Sequence, residues 1–304
     1  MLNCWMRRIT IGLASTLSAV GCGGAAPLMH PAQPLARNEV TFGVGTSQQF
    51  VMGDADSRIG HASEALLQTG DDPQANEEFV RGAVAWSLMT PGLAPWVGGR
   101  VGLGHHAEAG LTYTGRSLRG DGRFALEGES TALSLELGVS SRLRHPDEDM
   151  RTQGIPGLND GGLAGFGLDL PLLLGWHSSG DILSVYAGPR AGFEYLFGTY
   201  VVDAYDAGAD VVNAYEADVN ARRWFAGGVL GVVIGVQPIR AGLELDIAYQ
   251  RGDGRLGDVR NTDLAASIAP NEPVPTESNL TDLHSGPVSG LTLAPAAVLI
   301  GSFN

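Results

Sequence analysis

The stretch Arg223–Arg251 constrains this chain more than any other. From Trp224 to Val236 the alternate residues are Trp, Ala, Gly, Leu, Val, Ile and Val, with Gly227, Gly231 and Gly235 among those between. After a turn at Gln237-Pro238, Ile239, Ala241, Leu243, Leu245, Ile247 and Tyr249 fall on one face. Arg240, Gly242, Glu244, Asp246, Ala248 and Gln250 fall on the other. Strict alternation marks a strand, because successive side chains point to opposite faces. Each arm exceeds the roughly 9–11 residues that a tilted strand needs to cross a bilayer. Trp224 and Tyr249 lie on the apolar face at the end away from the turn, where an aromatic girdle belongs. An open sheet would strand backbone N–H and C=O groups in lipid, so the hairpin predicts a closed all-β barrel.

Composition agrees. Mean hydropathy is near zero at +0.05, as expected when lipid-facing and lumen-facing positions alternate. The 44 glycines are scattered rather than periodic, which excludes collagen. Beyond the first residues, no stretch approaches the ~20 apolar residues of a transmembrane helix. All 19 basic residues are arginine, and the formal charge is −14. Loss of Arg7 and Arg8 with a leader takes it to −16. So acidic a chain, with no basic cluster, is a poor nucleic-acid binder.

The amino terminus reads as targeting sequence. Arg7 and Arg8 form a positive region, Ile9–Val20 an apolar one, and Ala19-Val20-Gly21-Cys22 follows. This resembles a bacterial lipoprotein signal, which implies removal of residues 1–21 and lipidation of Cys22; the alternative is an ordinary secretory signal cut near Ala25 or Ala26. Cys4 departs with the leader, so the mature chain has no cysteine left to pair with Cys22. Gly23 stands where an Asp would resemble an inner-membrane retention mark, which favours the outer membrane of a Gram-negative bacterium. Residues 22–36, rich in Pro, Ala and Gly, are expected as a lipidated tether, and 37–304 as the barrel.

Strands are expected at 37–51, 94–104, 108–115, 121–127, 131–142, 164–176, 181–196, both arms of the opening hairpin, and 287–303. Phe79–Met89 fits either a further strand or a short amphipathic helix over the barrel mouth, and 53–78 reads as irregular. Short turns (105–107, 128–130, 177–180, 237–238) alternate with longer loops (116–120, 143–163, 197–222, 252–286), as in barrels with short periplasmic turns and long external loops. The count is ten, an antiparallel up-and-down transmembrane barrel, or twelve if Phe79–Met89 enters the wall.

Gly290–Asn304 resembles the closing strand of outer-membrane proteins, with Phe303 as the aromatic that the assembly machinery would read. The run Pro95-Trp96-Val97-Gly98-Gly99-Arg100-Val101-Gly102-Leu103-Gly104, followed by Glu108-Ala109-Gly110-Leu111-Thr112-Tyr113, resembles uncharacterised barrel lipoproteins of deltaproteobacteria such as myxobacteria. That resemblance implies a place and a fold, and no activity. The partners it leaves are outer-membrane lipid, the assembly machinery, and a small solute if the lumen is open.

Face assignment points Arg100, Arg123, Arg142, Arg190, Arg223 and Arg240 inward with Glu108, Glu127, Glu136, Asp169, Glu194, Glu244 and Asp246. Arginine's rigid fork suits bidentate pairing with carboxylates in a confined space. The expectation is a lumen bridged by Arg–carboxylate pairs, with a narrow polar channel as the alternative. Glycines 98, 102, 227, 231 and 235 either leave space or permit strand coiling. No catalytic residue, metal or cofactor is assigned. His105-His106 point to opposite faces in a turn. A barrel hydrolase is the third alternative, resting on His177-Ser178-Ser179 with Asp181 in another turn, without an evident oxyanion hole. His145 and His284 fall in loops. Asp203, Asp206, Asp210, Glu216 and Asp218 are rich in oxygen, but no spacing matches a defined calcium loop.

Overall fold

The computed structural model describes residues 27–66, 73–143, 158–160, 162–205, 211–261 and 283–303. The elements in chain order are β1 (Val40–Met52), α1 (Asp54–Leu66), α2 (Pro73–Met89), β2 (Gly92–Gly104), β3 (Ala107–Tyr113), β4 (Ser117–Glu127) and β5 (Thr131–Arg142). There follow β6 (Leu158–Asp160), β7 (Ala164–His177), β8 (Leu183–Tyr205), β9 (Val211–Val236), β10 (Ile239–Asn261), β11 (Leu283–His284) and β12 (Val288–Phe303). Ten of the strands close an antiparallel barrel in sequence order, and β12 returns to pair with β1 from Val40↔Phe303 to Met52↔Leu291. The two shortest strands lie outside this circuit: β6 pairs with β8, and β11 with β10.

The wall has the polarity that the hairpin predicts. Along β7, Phe166, Leu168, Leu170, Leu172, Leu174 and Trp176 all face out and are exposed, while Asp169 and Leu173 between them are buried. Ten residue steps rise ~34 Å, which a tilt of about 40° reduces to an apolar belt of about 25 Å. At one end of the belt the Trp224 and Tyr249 rings meet at 5.8 Å, and Tyr195 lies 5.7 Å from Phe166 and 6.0 Å from Phe197. At the other, Phe124, Trp176 and Phe303 are exposed near the short turns and the chain's last strand end.

Beyond the Trp224–Tyr249 girdle the polarity reverses. There β9 turns Asp218, Asn220 and Arg222 outward and buries Ala217, Val219 and Ala221. These inward residues, with Leu196, Tyr200 and Leu256, pack on Phe79, Val80, Ala83, Val84, Trp86 and Leu88 of α2 and on Ala55 and Ala62 of α1. The stretches expected as outer loops at 197–222 and 252–286 are therefore strand in part, and the helix pair stands against them. Helix α1 follows Gly53, which takes positive φ, and carries Asp54 and Asp56 in its first turn, where the helix dipole favours negative charge. A Cβ on Gly82 would strike Ala62 Cβ and the Arg58 carbonyl, so this glycine sets the close approach of the two helices. Pro91 prevents α2 from continuing. Phe79–Met89 thus belongs to a helix, the segment 53–78 is not irregular throughout, and the count is ten.

The belt makes a direct prediction. Leu170→Arg, near mid-belt, will cost about 2–4 kcal/mol of unfolding free energy measured from phospholipid vesicles, whereas Asn220→Arg, above the girdle, will cost about 0–1 kcal/mol.

Candidate functional site: a filled bore

Inside the wall, arginines and carboxylates interlock from β2 round to β10. Arg119 is the hub. Its Nη1 lies 2.7 Å from Asp121, its Nε 2.9 Å from Asp169, and its Nη2 bonds Glu136. Arg100 reaches Glu108 and Asp121 at 2.6 Å each, with Glu136 at 3.5 Å. On the far side Arg190 binds Asp169 and Asp246, both at 2.9 Å. Arg223 binds Glu194 at 2.7 Å and donates to Gln250, and the guanidinium groups of Arg190 and Arg223 lie 5.7 and 5.9 Å from the Phe225 ring. The side chains of Arg119, Glu108 and Glu136 are all but sealed from solvent.

The second component is the segment 27–36, which lies in the bore from the level of Trp96 and Glu244 to the short-turn end at Gly102. Glu244 accepts the backbone N–H groups of Leu28 and Met29, each at 2.7 Å, and the Tyr186 hydroxyl at 2.6 Å. Trp96 Nε1 donates to the Pro27 carbonyl (3.1 Å), Arg123 to the carbonyls of Pro31 and Gln33, and Leu35 N to Glu108. His30 sits between Arg123, at 2.7 Å from Nδ1, and Glu136, at 2.9 Å from Nε2. Leu28, Met29, His30 and Ala32 are buried. From residue 27 onward the expected tether is therefore part of the barrel's filling. A cavity of about 450 Å³ lies beside it at the short-turn end, with Thr41, Trp96, Arg240 and Ile300 in its lining.

Helix α2 closes the opposite end. Gln49 donates to the Met89 carbonyl, Arg142 to that of Ser87 (3.1 Å), and Arg116 lies over the Trp86 ring at 5.2 Å. A small cavity of about 90 Å³, lined by Thr90, Arg116, Arg119, Arg142 and Asp169, lies at this end of the ion pairs.

Most residues assigned inward meet as expected, and some differ. Arg100, Arg123, Arg190, Arg223, Glu108, Glu136, Asp169, Glu194 and Asp246 join the network. Arg142 contacts the lid, and Arg240 bonds Ser302 near the rim (2.8 Å). Glu244 binds backbone N–H groups and a tyrosine rather than an arginine. Glu127 does not belong to the network: it stands at the β4–β5 turn, exposed, 3.2 Å from His106. Trp224 and Tyr249 face outward. Among the histidines, His106 also packs edge-on to Phe124, and His177 lies 2.6 Å from Asp181 in a turn where Ser178 Oγ accepts the Leu183 N–H. Cys22, His145, Asp206 and Asp210, and the side chains of Asp203 and Glu216, lie outside the described residues; Asp218 is half-buried and His284 exposed.

The hub Arg119 and its partner Asp121 were legible in principle. Parity carries Arg123 and Asp121 back to Arg119, but a loop was expected at 116–120. Glycines serve as clearances: Gly98 leaves room for the Trp96 indole, Gly231 for the Tyr186 ring and Gly102 for the carbonyls of Leu35 and Ala36. Gly227 abuts the neighbouring strand's backbone, and Gly235 takes positive φ beside the turn.

No protein-family model and no curated protein matches the chain. Among solved structures, the RagAB peptide transporter aligns at 8% identity and TM-score 0.32 over 90% of this chain, which spans only 41% of that one. The Pseudomonas putida toluene transporter TodX aligns at 9% identity and TM-score 0.31, covering 93% of this chain and 94% of its own. Neisserial surface protein A aligns at 9% and 0.27, covering 87% and 96%. The fold assignment accordingly rests on the barrel's own pairing and polarity.

Removing the hub takes one cationic partner from each of three buried carboxylates. Arg119→Met will lower unfolding free energy by about 3–5 kcal/mol in a denaturant titration. Arg222→Gln, which breaks an exposed pair, will change it by less than about 1 kcal/mol.

Proposed function

We propose that this chain is an outer-membrane lipoprotein barrel with a closed bore, acting as a structural or surface-interaction element rather than as a conduit. One observation carries the reading: the bore is filled at successive levels, by residues 27–36, by the ion-pair network, and by α2. A solute crossing it would have to strip charge pairs that are hydrogen-bonded on several sides, and leave buried charges without partners. The 25 Å belt, its two aromatic girdles and the even strand number support placement in an outer membrane. Phe303, outward on the strand that seals the barrel, supports recognition of that strand by assembly machinery. Arg7, Arg8 and the small residues before Cys22 support a lipidated amino terminus.

A narrow polar channel is the second reading. The observation favouring it is that the lower bore, with its 450 Å³ cavity, is closed by a segment near the chain's start instead of by the wall.

Planar-bilayer recording separates the two. The inserted full chain will show no steady conductance, and a steady conductance would overturn the closed-bore reading. Deleting residues 27–36 will also leave the bilayer silent, because α2 and the ion pairs still block the path. Current from the deletion alone would make the segment a gate. Mass spectrometry of the mature chain will find acylated Cys22 first, and Cys22→Ser will lack the acyl mass; an unmodified chain beginning near Ala26 would refute lipidation.

A further inference from the structure

Just above the outer girdle, on the outside of the barrel, β8, β9 and β10 form a groove of about 540 Å³ whose lining includes Phe193, Arg222, Trp224, Arg251, Asp253 and His284. Register places Arg251 opposite Trp224, Arg222 opposite Asp253, and Phe193 opposite Trp224. Arg251 therefore stands level with the Trp224 and Phe193 rings and Arg222 one step beyond them, at the height where a bilayer's headgroups begin if the girdle marks its edge. Arg223, although it also borders the groove, is turned inward to Glu194 and Gln250. Arg222 Nε lies 3.1 and 3.3 Å from the two oxygens of Asp253, in a pair that is more than half exposed on both sides. Arg251 is exposed, and so is Arg255 two register steps higher, opposite Asn220. In a chain of charge −14, Arg222, Arg251 and Arg255 stand around Asp253 among the described residues of this outward patch.

We propose that the groove binds the phosphorylated headgroup of an outer-leaflet lipid. Arg222 and Arg251 would take the phosphate, and Phe193 and Trp224 the apolar body beneath it. Arginine's planar fork matches phosphate oxygens, and aromatic rings sit well at the boundary between headgroup and chain. Asp253 competes for Arg222, so it tunes the site downward. This inference rests on the membrane placement proposed above.

The test places the full chain in phosphatidylcholine nanodiscs doped with diphosphoryl lipid A or with its dephosphorylated form. Retained lipid is counted by native mass spectrometry, and inorganic phosphate serves as competitor. The phosphorylated form will be retained preferentially. Arg222→Gln combined with Arg251→Gln will weaken retention roughly 25-fold, about fivefold for each arginine, and Asp253→Asn will strengthen it. The exposed Arg222–Asp253 pair adds little to stability, so these variants keep the heat-modifiable gel mobility of a folded barrel. Equal retention of both lipids by a heat-modifiable barrel would overturn the site. Displacement by inorganic phosphate would overturn its lipid character and leave a small-anion site. A chain that never enters the nanodiscs would instead overturn the membrane placement, and the groove's role with it.

Discussion

Lipid offers no hydrogen bonds, so every peptide group at membrane depth must find its partner in the wall, and the β12–β1 seam is where that demand is finally met. Eleven residue pairs join the last strand to the first. Closure also dictates what happens elsewhere. Because β1 pairs with β2 from Val40↔Val101 to Gln49↔Gly92, the described residues between Gly53 and Pro91 are barred from the wall. That insert has to sit over the mouth, and it does so as two helices.

Closure with ten strands leaves an interior slightly wider than the eight-stranded size that side chains fill comfortably. The network spans the arc from β2 to β10. On the arc through β12 and β1 many of the inward residues are small, among them Gly43, Ala294, Ala296 and Gly290. The space left there is occupied by other parts of the chain. A Cβ on Gly43 would strike the Trp96 indole that holds Pro27, and one on Gly290 would meet Ala55 and Met89 of the helix pair. Segment and helices are thus the complement of small side chains on one arc, as the ion pairs are the complement of long ones on the other.

Much of this was legible from residues alone. The faces of Trp224–Val236 and Ile239–Gln250 follow from parity, and strand ends such as Thr131 and Arg142 fall where turn residues put them. Three features were hidden for physical reasons. Arg119 lay behind a boundary drawn at Asp121, because Gly120 and Gly122 leave the outward face without apolar residues there. Residues 27–36 have the Pro- and Ala-rich composition of a linker, and their attachment is mostly by backbone groups, which composition does not report. Glu127 has inward parity, but strand parity loses meaning at the last residue before a turn, where solvent is available on both sides.

The polarity reversal in β9 explains why the outer walls resembled loops. Alternation continues through Ala217, Val219 and Ala221, but the apolar residues now point inward and Asp218, Asn220 and Arg222 outward, because lipid outside has given way to water. A ribbon standing in water with one apolar face leaves a large exposed apolar patch. It requires a cover, and Phe79, Val80, Val84 and Leu88 of α2 supply one. The same helix ends at Ser87–Met89 against Arg142 and Gln49, over the bore. Burying the ribbon's inner face and capping the barrel are therefore one packing event: a substitution that loosens α2 from Val219 and Leu256 also withdraws the lid from the bore below.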